Sequence, residues 1–163
     1  MTATDELLRN AATYAAGFDK GDLGPGPARK VAVLACMDAR LNVYGLLGLS
    51  EGDAHVIRNA GGVVTEHEIR ALAVSQHVLG TEEVILIHHT GCGMLRFDEA
   101  GFEARLLEAT GVDPAWTDEG FADLDEDVRQ SVGRITASPF IPHKASVRGF
   151  VYDVHTGGLR EVV

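Results

Sequence analysis

Apolar residues fall along this chain in two rhythms. In Lys30–Cys36 (KVAVLAC) and Glu83–His89 (EVILIHH) they run without alternation, as in strands of a parallel sheet covered on both faces. Ala54–Ala60 (AHVIRNA) is a weaker strand that ends at Gly61-Gly62. Elsewhere the spacing is helical. Leu7, Leu8, Ala11, Ala15 and Phe18 predict a helix over residues 4–18. Ile69, Leu72, Ala73, Gln76 and Leu79 predict another, opened by the capping-box pattern Thr65-Glu66-His67-Glu68 and stopped at Gly80.

Two further helices are expected near 98–109 and 124–137. The second has Asp123-x-x-Glu126 at its start and Pro139 just past its end. Val147–Val163 predicts two short strands joined at Thr156-Gly157-Gly158, and the Gly/Pro-rich stretch 21–30 reads as a connector. Strands alternating with helices give an α/β fold: a single domain with a mostly parallel central sheet flanked by helices. Its 163 residues are enough for one real core, and no internal repeat divides it. The domain is therefore taken as residues 1–163, with 1–29 as N-terminal helix and connector.

Charge narrows the partners. The formal net charge is −10 with no Lys/Arg cluster, which disfavours nucleic acid. No apolar run approaches the ~20 residues of a membrane helix. The N-terminus carries acids early and lacks a basic start followed by an apolar stretch, so a cytoplasmic location is expected. The acids of Asp118–Asp127 read as a solvated face around a helix start.

The candidate chemistry lies at the carboxyl ends of the two strong strands, where open parallel sheets gather their ligand sites. Cys36 ends the first, with Asp38 and Arg40 at alternate positions after it in CMDAR; Cys92 follows the second in HHTGCG. Either cysteine alone reads as a small buried hydrophobe. If the strands are neighbours, however, two thiols and an imidazole, from His88 or His89, meet in one crevice. That donor set suits tetrahedral zinc. Three protein ligands leave a position for water, whereas Asp38 as a fourth would close the site. His55, His67, His77, His143 and His155 lack such context and read as surface or locally hydrogen-bonded residues.

CMDAR (36–40) with HHTGCG (88–93) resembles the paired signature of the β-class carbonic anhydrases, and RNAGG (58–62) is similar to a further stretch of that family. The resemblance runs through roughly residues 30–155 and implies a zinc enzyme with one Zn2+ per chain. The metal ligands it implies are Cys36, His89 and Cys92, with the H-x-x-C spacing selecting His89. Asp38 and Arg40 are implied as the catalytic dyad, and Asp38 also as a metal ligand when the site closes. The implied reaction is reversible hydration of CO2 to bicarbonate and a proton by a zinc-bound hydroxide, the dyad gating the site. Ala39 stands where the family usually has a hydroxyl residue.

The same architecture supports hydrolysis of carbon disulfide or carbonyl sulfide as an alternative. A non-catalytic zinc or redox-sensing module is the other, against which Arg40 argues, since a structural zinc needs no partner for an outer carboxylate. The resemblance further implies a homodimer or homotetramer, with residues 4–18 as an N-terminal helical arm.

Overall fold

The two uninterrupted apolar runs become adjacent central strands. The computed structural model describes residues 1–116 and 118–163. Its five strands are β1 (Val31–Cys36), β2 (Ala54–Asn59), β3 (Glu83–His89), β4 (Val147–Tyr152) and β5 (Leu159–Glu161), in the spatial order β2-β1-β3-β4-β5. The first four are parallel, and β5 returns antiparallel to β4 through a turn with Gly157 at φ 74°. In register, Cys36 lies opposite Asn59 of β2, and Ala35 opposite Ile87 of β3.

Side-chain alternation along the strands feeds two cores. On one face Ala32, Leu34, Val84 and Leu86 pack with Leu72, Val128, Val132 and Ile135. On the other Val33, Ala35 and Ile87 pack with Leu41, Val43, Val63 and Phe121, and both cysteines join this group. Ala32 to Ala35 are fully buried, which explains why β1 shows no polar alternation.

The helices are α1 (Ala3–Ala16), α2 (Val43–Leu47), α3 (Glu66–His77), α4 (Glu99–Thr110) and α5 (Leu124–Ala137). α3 begins with the capping box read from the sequence, Thr65 accepting from the turn's backbone and Glu68 answering back. It ends at His77 rather than running to Leu79, and Gly80 follows at φ 78°. Asp123 caps α5 by accepting from the Glu126 backbone N–H. The five-residue α2 was not expected. Asn42 caps its start and Gly48, left-handed at φ 62°, ends it.

α1 stands apart: none of its residues is buried. Its ties to the body are few. Tyr14 Oη donates to Glu51 at 3.0 Å, and Lys20, just beyond the helix, pairs with the same carboxylate at 2.6 Å. Among the described residues no helix is long and apolar enough to cross a membrane.

Candidate metal centre

β1 and β3 are neighbours, so their carboxyl ends bring Cys36, His89 and Cys92 together. One donor atom from each lies within 4.8 Å of the others, and all three residues are buried. The two Sγ atoms are 3.9 Å apart, and both cysteines are free. Two thiolates at tetrahedral angles on one zinc, each ~2.3 Å from it, would sit about 3.8 Å apart. The spacing fits zinc.

The histidine also fits. His89 Nδ1 lies 3.0 Å from the Thr90 carbonyl, which can only accept, so Nδ1 carries the proton. Nε2 therefore keeps its lone pair, yet it is buried without any hydrogen-bond partner. An orphaned buried acceptor is costly unless something binds it. Outer hydrogen bonds of this kind commonly set the tautomer of metal-binding histidines.

The thiols say the same electrostatically. Contact with the Cys92 thiol holds the Cys36 thiol well below its ordinary range, against burial and helped by His89. That contact, with burial, pushes the Cys92 thiol up. Their contact thus pushes the two thiols' ionisation apart. Holding both as thiolates in a buried pocket requires a cation between them.

Asp38 is turned toward Arg40. The guanidinium fork is bidentate, Nε on Oδ1 at 2.9 Å and Nη2 on Oδ2 at 2.6 Å, and the Arg40 backbone N–H adds a bond to Oδ1 at 2.8 Å. Arg40, chiefly through its side chain and then its backbone, keeps the Asp38 carboxyl well below the usual carboxylate range. Oδ2 is nonetheless only 3.7 Å from His89 Nε2, so the carboxylate borders the space between the donors. Arg40 Nη2 also donates to the Gly91 carbonyl at 3.1 Å, tying the loop after β1 to the one that carries Cys92.

His88 points the other way, as strand alternation requires. Its Nε2 is 2.6 Å from Asp127 Oδ2 on α5, and its ring packs at 5.4 Å from Phe121. Both His88 and Asp127 are buried. Asp127 therefore does not belong to a solvated acidic face, as the sequence suggested. It leaves that face to partner a buried imidazole. The remaining histidines lie outside the cluster: His55 Nδ1 meets Ser75 Oγ at 2.7 Å, and His77 Nε2 meets the Phe140 carbonyl at 3.0 Å.

The RNAGG stretch closes the site from β2. Arg58 reaches the backbone carbonyls of Cys36 and Asp38, and Asn59 Nδ2 donates to the Val63 carbonyl at 2.8 Å. Gly62 has φ 74°, and a Cβ there would fall 2.9 Å from the Cys36 backbone nitrogen and 3.1 Å from the Ile87 carbonyl oxygen. Only glycine lets this turn pass so close behind the thiol.

The family profile for carbonic anhydrase matches residues 31–159. A β-carbonic anhydrase from Mycobacterium tuberculosis is 54% identical, the alignment covering 99% of each chain. A carbon disulfide hydrolase from an Acidianus species is 33% identical over 82% of this chain and 77% of its own. The crystal structure of a carbonic anhydrase from Streptococcus mutans superposes with a TM-score of 0.91 at 40% identity, covering 100% of this chain and 99% of that one. With the match reaching both strands that carry the cluster, this chain belongs to the β-carbonic anhydrase family.

Proposed function

We propose that the protein hydrates CO2 reversibly to bicarbonate and a proton at one zinc per chain held by Cys36, His89 and Cys92. The observation that carries this reading is the buried donor triad, its His89 Nε2 unpaired, beside an ion-paired carboxylate. Zinc in this position supplies the Lewis acidity that turns water into a nucleophile near neutral pH. Cys36 and Cys92 would bind as thiolates and His89 through Nε2, leaving a fourth position free.

Asp38 and Arg40 set what that position can do. A carboxylate held well below its usual range is a poor proton acceptor, so Asp38 serves as an orienting acceptor rather than a general base. It takes a hydrogen bond from the nucleophile and so aims a lone pair at the substrate carbon. Arg40 keeps both Asp38 oxygens occupied, which would hold the carboxylate off a bound metal. Released from Arg40, Asp38 would be close enough to the donor cluster to serve as a further ligand.

The higher identity to the carbonic anhydrase than to the carbon disulfide hydrolase favours CO2. Stopped-flow assays of the zinc-loaded protein on both substrates test this. CO2 hydration should far exceed release of sulfide from carbon disulfide; the reverse ranking would assign the hydrolase activity instead.

We further propose a homodimer in which α1 serves as an arm on the second copy. Leu7, Leu8, Tyr14 and Phe18 are all at least half exposed on or next to this helix. A cleft of about 1030 Å³ on the body offers apolar Val64, Ile69, Ala73 and Phe140, rimmed by charges of both signs, to the apolar side chains of such an arm. The double variant Leu7→Asp/Leu8→Asp should sediment as a monomer where the unaltered protein sediments as a dimer. A dimer of unchanged affinity would remove the arm from the interface.

A further inference from the structure

We infer that Arg58 is a positioning residue for this reaction: its guanidinium grips the turn that carries both Cys36 and Asp38. The inference rests on the zinc and dyad assignment above. Arg58 Nε and Nη2 donate to the Cys36 carbonyl oxygen at 2.9 and 2.7 Å, and Nη2 also donates to the Asp38 carbonyl oxygen at 2.7 Å. One planar fork thus spans two carbonyls two residues apart. It holds the thiol and the carboxylate in a fixed relation without touching either side chain.

The neighbouring contacts extend this clamp across three strands. The Met37 backbone N–H, between the two gripped carbonyls, donates to Asn59 O at 2.7 Å. Arg58 and Asn59 together therefore hang the Cys36–Asp38 turn on the end of β2. Arg40 then carries the connection from the Asp38 carboxylate to the Gly91 carbonyl, one residue before Cys92. Loss of Arg58 would leave the Asp38 carbonyl with the Leu41 N–H at 3.0 Å as its remaining partner.

Arg58 contributes little else. It lies on an edge strand, its side chain is outside both hydrophobic clusters, and the residue is exposed. Its removal should loosen the turn without opening the core. Lysine cannot replace it, because a single ammonium does not reproduce the fork that reaches both carbonyls.

The test compares Arg58→Lys and Arg58→Ala with the unaltered protein, each purified and loaded with zinc or cobalt(II). Both variants should bind one metal and show altered sulfur-to-cobalt bands. Their kcat/KM for CO2 should fall about 10- to 100-fold, the scale of a small misplacement at a reacting centre. Millimolar guanidinium should restore part of the loss in Arg58→Ala and none in Arg58→Lys. Wild-type bands and kcat/KM in both variants would overturn the inference. So would collapse of the folded state in both without rescue, which would make Arg58 a strut of the fold. If the unaltered protein itself gave no sulfur-to-cobalt bands, the zinc assignment would fail and this inference with it.

Discussion

Cys92→Ser protein is expected to leave purification nearly free of zinc, whereas the unaltered chain should carry about one zinc per molecule. Zinc affinity in such sites typically drops 10- to 100-fold when only an outer hydrogen-bonding partner is lost. Removal of a direct ligand should exceed that, and Cys36→Ser and His89→Ala should behave alike. Hydration activity should fall to whatever fraction still holds metal. His88→Ala provides the contrast. That imidazole faces Asp127, so the variant should lose stability by stranding a buried carboxylate yet still hold zinc. Full zinc retention in Cys92→Ser, or zinc loss in His88→Ala with His89→Ala unaffected, would show that the ligands were misassigned. Metal analysis by mass spectrometry reads both outcomes.

Arg40→Ala should separate metal binding from turnover. Cys36, His89 and Cys92 remain, so zinc content should match the unaltered protein. CO2 hydration should nevertheless fall at least ~100-fold, since Asp38 loses the fork that fills both its oxygens and can move the short distance to the open position. Asp38→Ala should also keep zinc and lose rate, but without a competing ligand; the two variants should therefore differ in their affinity for added anions. Small anions should bind the metal of Asp38→Ala more tightly than that of Arg40→Ala. Wild-type hydration by Arg40→Ala would deny the pair any gating role.

The legible parts of this protein were those written in local pattern. β1 and β3 announced themselves because strands buried on both faces carry no polar alternation, and the capping box at Thr65 and Glu68 is a contiguous signal. Cys36, Asp38, Arg40, His89 and Cys92 stood out as reactive residues at or just past strand ends. Choosing between His88 and His89 took the H-x-x-C spacing; the fold separates them because adjacent residues on a strand face opposite sides. The strand order was not readable, since it depends on long-range pairing.

Other features left no local trace. The short α2 carries too few residues to show a period, although Asn42 and Gly48 mark its ends. The His88–Asp127 pair joins residues 39 apart, and a run of acids disguised the buried member. Arg58 was hidden for a different reason. Its acceptors are backbone carbonyls, which every residue type provides, so nothing at Cys36 or Asp38 signals the contact.

Removal and return of the metal tests whether the triad drives the reaction. Stripped with a strong chelator, the protein should lose CO2 hydration in stopped-flow measurements. It should regain the activity in proportion to added zinc, saturating at one equivalent per chain. Activity that survives in demonstrably zinc-free protein, or full zinc occupancy with no hydration, would contradict a catalytic zinc at Cys36, His89 and Cys92.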